Sequence, residues 1–384
     1  MKIVLVANYP ADSQPSMLRY AAFLERELKQ AGHEVQVIWP RVLARKLVAS
    51  GGRLGKWLGY VDKFLLFRIG FSSRIRGADI VHVCDHSNSI YLSWIKAGAK
   101  VITCHDALAM RSALDHFPQN SIGVSGKILQ RWIRKSLRHA DGIIYVSGKT
   151  RFDFEQLLGM EVPYDVITHA LNWPYRAATD AEIASALEPL GLQREAYILH
   201  VGDNSWYKNR LGVLQMFARL RREERFRSLS LVMVGKPLTE EMRVWCGANR
   251  LTGVYVLENV GNAQLRILYS GAFALLFPSF EEGFGWPVLE AQACGCPVIT
   301  STRLPMAEIA GEGAKLVDPQ KEETIYEAAV ACSENREAMV EAGFRNLERF
   351  SAQGMIRRYE DFYRTTLESL EPVDPAAVQT ALRT

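Results

Sequence analysis

The sequence predicts an α/β protein built from two doubly wound, Rossmann-like domains. Twelve short β-branched runs alternate with segments of helical period, and 384 residues exceed the length of one ordinary domain. Most of the runs are almost continuously apolar, which is typical of parallel strands buried on both faces. Because such sheets bind ligands beyond the carboxyl ends of their strands, we expect the two domains to face one inter-domain cleft.

Six predicted strands fall in each half of the chain. They are Lys2–Asn8, Val35–Trp39, Asp79–Val83, Lys100–His105, Gly142–Ser147 and Tyr164–His169, then Tyr197–Gly202, Leu229–Gly235, Val254–Val260, Ala274–Pro278, Pro297–Thr302 and Ala314–Val317. Leu171-Asn172-Trp173-Pro174 breaks the pattern between the two sets. We therefore predict an N-terminal domain over residues 1–170, a C-terminal domain over 171–353, and a helix over 354–370 that could pack back on the first domain.

The composition excludes several classes of protein. With 48% hydrophobic and 23% charged residues, the chain can bury real cores and is not a disordered tail. The apolar run near the N-terminus is too short for a secretory signal, and no stretch of 18 apolar residues predicts a membrane span. The six cysteines lack disulfide or zinc spacing, so we expect reduced thiols in the cytoplasm.

Charge is distributed unevenly along the chain. Residues 1–170 carry 23 basic and 14 acidic side chains, whereas residues 171–384 carry 23 and 28. The basic excess lies in residues 41–76, interleaved with apolar side chains, and on one helical face of residues 127–138. These segments either contact anionic lipids, as a peripheral protein on the inner face of the cell membrane would, or form ordinary solvated faces. Nucleic acid is a poorer partner, because no recognition module accompanies the basic segments.

The most informative stretch is Phe277–Glu290, which reads FPSFEEGFGWPVLE. A buried strand is predicted to end at Pro278, and the fixed φ of Pro287 suits the first position of a helix. Gly283 and Gly285 allow the backbone to approach a ligand closely. The amides at such a helix start favour an anion, for example a diphosphate.

Two acids flank this turn. Glu282 precedes the predicted helix and Glu290 lies one turn inside it, so they either bind separate hydroxyl groups of one elongated ligand or are ordinary exposed acids. Their spacing and surroundings resemble the E-x7-E signature of the retaining GT-B glycosyltransferases of family 4. The resemblance extends over nearly the whole chain, includes Glu308-Ile309-Ala310-Gly311, and is strongest in residues 197–318.

The resemblance implies a GT-B fold and roles for five residues. Glu282 would hold hydroxyl groups of the donor sugar, and Glu290 the ribose of the nucleotide. The backbone amides of Gly283, Phe284 and Gly285 would meet the sugar and the diphosphate.

Lys208 lies in a loop that follows the first strand of the second domain. The loop resembles one in which the family's lysine contacts the donor diphosphate, so Lys208 inherits that role; otherwise it is a solvated lysine. Many members have arginine directly after the loop glycine, where this chain has Asp203. Either Arg210 or backbone amides would then supply the second positive group, or the diphosphate would be held by less positive charge.

His105 ends a predicted strand of the first domain. It resembles the family's His-Asp position near the reacting sugar, where an imidazole can transfer a proton or bind a hydroxyl; a structural histidine is the alternative. Asp106 would orient His105 or cap the next helix. Further candidates on the acceptor side are Asn8, Tyr9, His86 and Asn88.

Two other features shape the prediction. The first βα loop, residues 8–16, lacks the glycine-rich turn of many relatives. His82, Asp85 and His86 form a metal-like cluster, but His82 lies on a predicted strand, which disfavours helical ligand geometry with His86. The cluster also lacks a full set of ligands, and no D-x-D motif is present. We therefore expect no metal and no cofactor.

These observations predict a metal-independent, retaining glycosyltransferase. It would move a sugar from a nucleotide-sugar donor to a hydroxyl group of a glycan or lipid-linked acceptor, in the assembly of a cell-surface polysaccharide or glycolipid. One alternative is a nucleotide-sugar epimerase or phosphorylase of the same fold. Another is a non-catalytic, membrane-associated assembly subunit, which the intact Glu282, Glu290, Lys208 and His105 disfavour.

Overall fold

The computed structural model describes residues 1–12, 14–48, 52–159 and 161–370. Ser13 of the first βα loop and residues 49–51 of the basic segment 41–76 lie outside the described residues. The strands are β1 (Lys2–Val6), β2 (Glu34–Ile38), β3 (Ile80–Val83), β4 (Ala99–Cys104), β5 (Gly142–Tyr145), β6 (Tyr164–Val166), β7 (Tyr197–Val201), β8 (Ser230–Val234), β9 (Val254–Leu257), β10 (Ala274–Phe277), β11 (Val298–Ser301) and β12 (Ala314–Val317).

Helices connect almost all of these strands. They are α1 (Pro15–Gln30), α2 (Arg53–Tyr60), α3 (Phe71–Arg74), α4 (Leu108–Ala113), α5 (Val124–Ser136), α6 (Gly148–Leu158), α7 (Asp180–Leu187), α8 (Arg210–Leu220), α9 (Glu240–Ala248), α10 (Asn262–Gly271), α11 (Trp286–Ala293), α12 (Met306–Ala310), α13 (Ile325–Glu334), α14 (Arg336–Leu347) and α15 (Ala352–Glu368). Within the described residues, no helix is both long enough and apolar enough to cross a membrane.

The strands form two six-stranded parallel sheets. Their orders are β2-β1-β3-β4-β5-β6 and β12-β11-β10-β7-β8-β9. All twelve predicted strands are present, within three residues of their predicted bounds, and the predicted α/β fold class is confirmed. The strand order reverses between β1 and β3 in the first sheet and between β7 and β10 in the second. Loops diverge at such switch points and leave room for a ligand beyond the carboxyl ends of the strands.

The chain divides into two compact units. Unit 1 contains Met1–His116, Ile122–Thr168 and the segment that begins at Ala352, and unit 2 contains Phe117–Ser121 and His169–Ser351. These bounds lie two residues from the predicted ones at both main crossings. Phe117–Ser121 departs from the predicted division, because the Phe117 ring lies 4.7 Å from the Trp206 ring of unit 2. Helix α15 packs on α1 and β4 within unit 1.

Alternate residues of each inner strand enter different cores. In unit 2, Leu199 and Leu275 pack with α7, α10 and α11, whereas Ile198 and Ala274 pack with α8, α9 and α13. In unit 1, Val81 and its neighbours face the aromatic side of the sheet. Side chains of a strand alternate between its two faces, so both faces of each sheet are covered by helices.

Candidate functional site

Two loops converge at the switch point of unit 2. One follows β7 and carries residues 202–209, and the other follows β10 and carries residues 278–285. Phe280 N–H donates to the Tyr207 carbonyl oxygen at 2.8 Å, and the Asn209 amide donates to the Pro278 carbonyl oxygen at 3.0 Å. The two motifs singled out in the sequence, 74 positions apart at Lys208 and Glu282, therefore belong to one local structure.

Lys208 and Glu282 form an ion pair at the centre of these loops. Lys208 Nζ donates to Glu282 Oε1 at 2.6 Å, and 16% and 10% of the two side chains are exposed. The ammonium also lies 5.0 Å from the Phe277 ring centroid and 5.4 Å from that of Tyr207, distances at which aromatic faces attract a cation. A lysine has three N–H donors, so the ammonium can bind an anion in addition to Glu282.

The turn before α11 requires glycine at one position. Gly285 has φ +108°, a conformation that side-chain-bearing residues rarely adopt. Helix α11 begins at Trp286, so Pro287 occupies its second position and not the predicted first. Pro287 has no N–H, and the Val288 N–H donates to the Gly285 carbonyl oxygen at 3.1 Å. The backbone groups that could meet a diphosphate therefore precede Pro287.

Glu290 lies in α11 and is buried. The Tyr269 hydroxyl of α10 donates to Glu290 Oε2 at 2.9 Å, and Tyr269 itself is fully buried. Burial, together with the neighbouring Glu290 carboxylate, holds the pKa of Tyr269 well above its ordinary value, so the phenol remains a donor. Tyr269 thus fixes one oxygen of the predicted ribose-binding acid. No sequence pattern predicts this contact, because it joins residues on two separate helices.

Phe284 packs its ring into an aromatic cluster. The ring lies 5.1 Å from His169 and 6.0 Å from both Trp286 and Phe350, and the side chain is 5% exposed. Trp286 stacks on His169 at 4.5 Å and donates its indole N–H to the Ala170 carbonyl oxygen at 3.2 Å. The cluster anchors the glycine turn and buries the Phe284 side chain, so only the Phe284 backbone could contact a ligand there.

Arg210 is buried, with 2% of its surface exposed. Its Nη1 donates to the Lys236 carbonyl oxygen at 2.7 Å and to Asn204, which ties together the loops after β7 and β8. Within the described chain its Nε and Nη2 have no hydrogen-bond partner. Asp203 accepts the Ser205 N–H at 3.0 Å, so the acid at the position that is often arginine closes a turn.

His105 lies just beyond β4 in unit 1 and is 6% exposed. Its Nε2 lies 2.8 Å from the Cys84 carbonyl oxygen, which can only accept, so Nε2 carries the proton. Burial is the main reason that the pKa of His105 is lowered, and the imidazole is neutral at pH 7. Asp106 accepts the Leu108 N–H at 2.9 Å, at the first residue of α4.

The other acceptor-side candidates surround a buried acid that the sequence did not single out as a site residue. Asp85 accepts from the Asn8 amide at 2.6 Å and from Ser87 N–H at 2.9 Å, and His86 Nδ1 lies 3.3 Å away. Asn88 in turn donates to Asn8 Oδ1 at 3.2 Å. Burial opposes ionisation of Asp85, but the two histidines, His86 and His105, and these donors keep its pKa below the ordinary value. Asn8 and Asn88 therefore organise a buried carboxylate.

Tyr9 has a different partner. Its hydroxyl donates to Asp62 Oδ2 at 2.6 Å, and Asp62 also accepts backbone N–H groups of Leu43, Ala44 and Arg45 at 2.7–3.2 Å. Tyr9 is 2% exposed and Asp62 is fully buried. The pair holds the start of the basic segment 41–76 against the first βα loop.

The metal-like cluster separates into two environments. His82 Nδ1 and Nε2 contact Tyr363 and Thr103, whereas His86 lies beside Asp85. Among the residues that the structure describes, no three His, Cys, Asp or Glu side chains are grouped so as to hold a metal ion.

Two family profiles cover most of the chain. "Glycosyltransferase Family 4" matches residues 17–172 and "Glycosyl transferases group 1" matches residues 186–345. O-antigen chain mannosyltransferase B of Escherichia coli is 29% identical over 229 residues, which are 59% of this chain and 58% of the relative. O-antigen chain mannosyltransferase RfbU of Salmonella typhimurium is 44% identical over 71 residues, 18% of this chain and 20% of that protein. The matches thus span less than two thirds of these relatives.

Solved structures share the fold. Sucrose-phosphate synthase from Thermosynechococcus elongatus superimposes with a TM-score of 0.74 at 18% identity, covering 96% of this chain and 100% of that one. The Anabaena protein Alr3699/HepE in complex with UDP-glucose gives 0.71 at 16% identity, with coverage of 96% and 100%. Together with the two profile matches, these similarities show that the chain belongs to the GT-B glycosyltransferases of family 4.

Proposed function

We propose that the protein is a retaining, metal-independent glycosyltransferase that takes its sugar from a nucleotide-sugar. The observation that carries this proposal is the convergence of Lys208, Glu282 and the Gly285 turn at the switch point of unit 2, with Glu290 held nearby in α11. A relative of the same fold is described in complex with UDP-glucose, which supports this class of donor.

The donor would be held by complementary charges and hydroxyl contacts. Lys208 would turn one of its N–H donors to the diphosphate, whose negative charge grows as the sugar–phosphate bond breaks. Glu282, relieved of part of its ion pair, would accept hydroxyl groups of the sugar, and Glu290 those of the ribose. Backbone amides before Pro287 would bind phosphate oxygens, and the dipole of α11 favours the same charge. Arg210, buried behind these loops, would support them or add the N–H groups that have no partner among the residues described.

His105 would act on a hydroxyl group of the reacting sugars. His105 Nε2–H donates a hydrogen bond to the Cys84 carbonyl oxygen. The acceptor nitrogen of the neutral imidazole is therefore Nδ1, which is the atom that would accept from a hydroxyl group. Asp85 lies next to Cys84 in the chain and contributes a negative charge that favours a proton on the imidazole. This arrangement suits transient proton acceptance, which is the role that we propose for His105.

The test is transfer activity with a panel of UDP- and GDP-hexoses and a polysaccharide-type acceptor. Glu282→Ala should lower kcat/KM by about 10²-fold or more, while the exposed Glu258→Ala of the loop after β9 should retain the wild-type value. The anomeric configuration of the product, read by NMR, should match that of the donor. An epimerase would change the sugar without an acceptor. Full activity of Glu282→Ala would remove the site assignment.

Assembly of a cell-surface polysaccharide or glycolipid is the pathway that we propose. The relatives described as O-antigen chain mannosyltransferases support it. The acceptor would then be a glycan or a lipid-linked glycan.

A surface of unit 1 supports a peripheral contact with an anionic membrane. The rings of Trp57, Tyr60, Phe64 and Trp132 form a continuous series with centroid distances of 6.0, 5.8 and 5.4 Å. This aromatic series joins the two basic segments, 41–76 and 127–138, into one face. Around it lie the exposed apolar side chains Leu47, Leu54, Leu65, Ile69, Val124 and Ile128. Apolar side chains beside basic ones favour the headgroup region of anionic lipid.

Sedimentation with vesicles tests this contact. The protein should bind vesicles that contain phosphatidylglycerol at low salt and be released by high salt, because surface charges are screened. Trp57→Ala combined with Trp132→Ala should weaken binding several-fold, whereas Tyr255→Ala, an exposed aromatic residue of unit 2, should not. Efficient transfer to a small soluble acceptor without any vesicle binding at low salt would refute the contact.

A further inference from the structure

Five buried polar side chains form one hydrogen-bonded series in unit 1, beside His105. They come from α1, β3, β4 and α15, and each is at most 1% exposed: Tyr20, His82, Thr103, Tyr359 and Tyr363. The Tyr359 and Tyr20 hydroxyls lie 2.7 Å apart, and the Tyr20 hydroxyl lies 3.0 Å from Thr103 Oγ1. Thr103 Oγ1 lies 2.8 Å from His82 Nε2, and His82 Nδ1 lies 2.5 Å from the Tyr363 hydroxyl.

His82 connects the two ends of the series. Burial lowers the pKa of His82 to about 3, so the imidazole is neutral and donates from one nitrogen while it accepts at the other. Each hydroxyl can donate once and accept twice, so every contact in the series can be a satisfied hydrogen bond. A buried network of this kind is rigid when every member is satisfied and is disturbed when one member is lost.

Tyr20 connects the series to His105. The two rings meet edge to face, with centroids 4.8 Å apart and an interplanar angle of 82°. Thr103 and His105 are two positions apart, which places both side chains on the same face of the sheet. The His105 ring is thus confined from two directions, by the Tyr20 ring and by the Nε2 contact with the Cys84 carbonyl.

We propose that Tyr20 and Tyr359 are positioning residues for His105, through which the C-terminal helix α15 fixes the orientation of the imidazole. The inference rests on the proposed role of His105. Tyr359 holds the Tyr20 hydroxyl, and the Tyr20 ring holds the imidazole. Both residues would act through His105 and not on the donor, so loss of either should impair turnover and leave donor affinity nearly unchanged.

Two hydroxyl deletions on α15 provide a matched pair. Tyr359→Phe removes the partner of Tyr20, whereas Tyr363→Phe removes the partner of His82 at the far end of the series. Both residues are fully buried and both substitutions delete a buried hydroxyl group, so both variants should lose thermal stability. Tyr359→Phe should lower kcat about tenfold with donor KM within twofold, since misplacement of a catalytic group is costly. Tyr363→Phe should retain kcat within about twofold.

An NMR titration of His105 gives a readout that does not depend on turnover. The titratable groups around this imidazole are Tyr20 on α1, Cys84, Asp85 and His86 after β3, His82 on β3, and Asp106 beside it. Tyr20→Leu should admit water and raise the pKa of His105 towards 6.5, and the acid limb of the kcat profile should move to higher pH.

An unchanged titration in Tyr20→Leu, or equal losses of kcat in Tyr359→Phe and Tyr363→Phe, would overturn the inference. Full activity in His105→Gln would instead refute the proposed role of His105.

Discussion

Unit 1 and unit 2 each contain a six-stranded parallel sheet, yet they arrange polar side chains differently around it. Unit 1 buries Asn8 and Asp85 in mutual hydrogen bonds, and its strand histidine, His82, has a partner at both nitrogens. Unit 2 keeps Lys208 and Glu282 partly exposed at its switch point. Its strand histidine, His200, contacts the Leu276 carbonyl oxygen at one nitrogen and has no partner at Nε2 among the described residues.

The difference shows how one architecture supports two tasks. Groups that satisfy one another in the interior hold a fixed geometry, because leaving any of them unpaired costs about 1–3 kcal/mol. A charged pair at the edge can exchange a partner with a ligand at lower cost, because water and ligand compete for the same groups. We therefore expect substitutions in unit 2 loops to affect donor binding, and substitutions in the unit 1 network to affect geometry and stability.

The largest effect is expected at the ion pair of unit 2. Lys208→Met should lower kcat/KM for transfer by about 10²–10³-fold, because it removes the charge that stabilises the departing diphosphate. Lys149→Met in unit 1 is a matched control, since Lys149 pairs with Asp153 and is similarly buried, with 18% of its side chain exposed. Equal losses in the two variants would mean that the ion pair of unit 2 has no special role.

The two strand histidines should make both units acid-sensitive. The pKa of His82 and of His200 is lowered to about 3, chiefly by burial, from an ordinary value near 6.5. Folding favours the neutral imidazole. The contribution of each histidine to the free energy of unfolding is therefore fully present above pH 6.5 and is lost as pH falls towards 3. From pH 7 to pH 5, each histidine should lower the free energy of unfolding by about 2 kcal/mol.

Native-state hydrogen exchange measures this effect separately in each unit. The protection of β3 and β7 amides should weaken between pH 7 and pH 5. His200→Gln should abolish the part of the pH dependence of β7 protection that is due to His200. The pH dependence of β3 protection should remain. Protection that is independent of pH in both strands would contradict the lowered pKa values.

A smaller effect is expected at the turn before α11. Gly285→Ala should cost about 1–2 kcal/mol of stability, because alanine is strained at φ +108°. Gly261→Ala is its control: Gly261 is also the residue before a helix, α10, but has φ −78° and open space at the Cβ position. Thermal unfolding of the two variants should show a clear loss in melting temperature for Gly285→Ala and little loss for Gly261→Ala.

The sequence predicted the strands well for a physical reason. Runs such as Ile198–Leu199 and Leu275–Leu276 are apolar on both faces, and only a parallel sheet covered on both sides buries them all. Strand order followed less directly, because it depends on which apolar surfaces pack together. Helix α11 begins at Trp286, one residue before the predicted start at Pro287. The left-handed conformation of Gly285 allows the helix to begin directly after it.

The structure brings some of the predicted site residues together. Lys208, Glu282 and Glu290 were recognisable because they lie in short local motifs that resemble those of a known family. Tyr269 and Tyr20 were not, since their importance arises from contacts with side chains that are distant in the chain. Asn8 and Tyr9 were predicted on the acceptor side, a role that remains a proposal, and the structure shows them bonded to the buried acids Asp85 and Asp62.

Unit 2 should bind the nucleotide-sugar at its switch point. Hydrogen exchange with and without saturating UDP- or GDP-hexose tests it directly. We predict that a bound donor slows exchange in residues 202–209 and 279–290, and that Lys208→Met removes this protection at the same donor concentration. Donor-dependent protection confined to residues 8–14 and 85–88 of unit 1, or equal protection in Lys208→Met, would contradict the account.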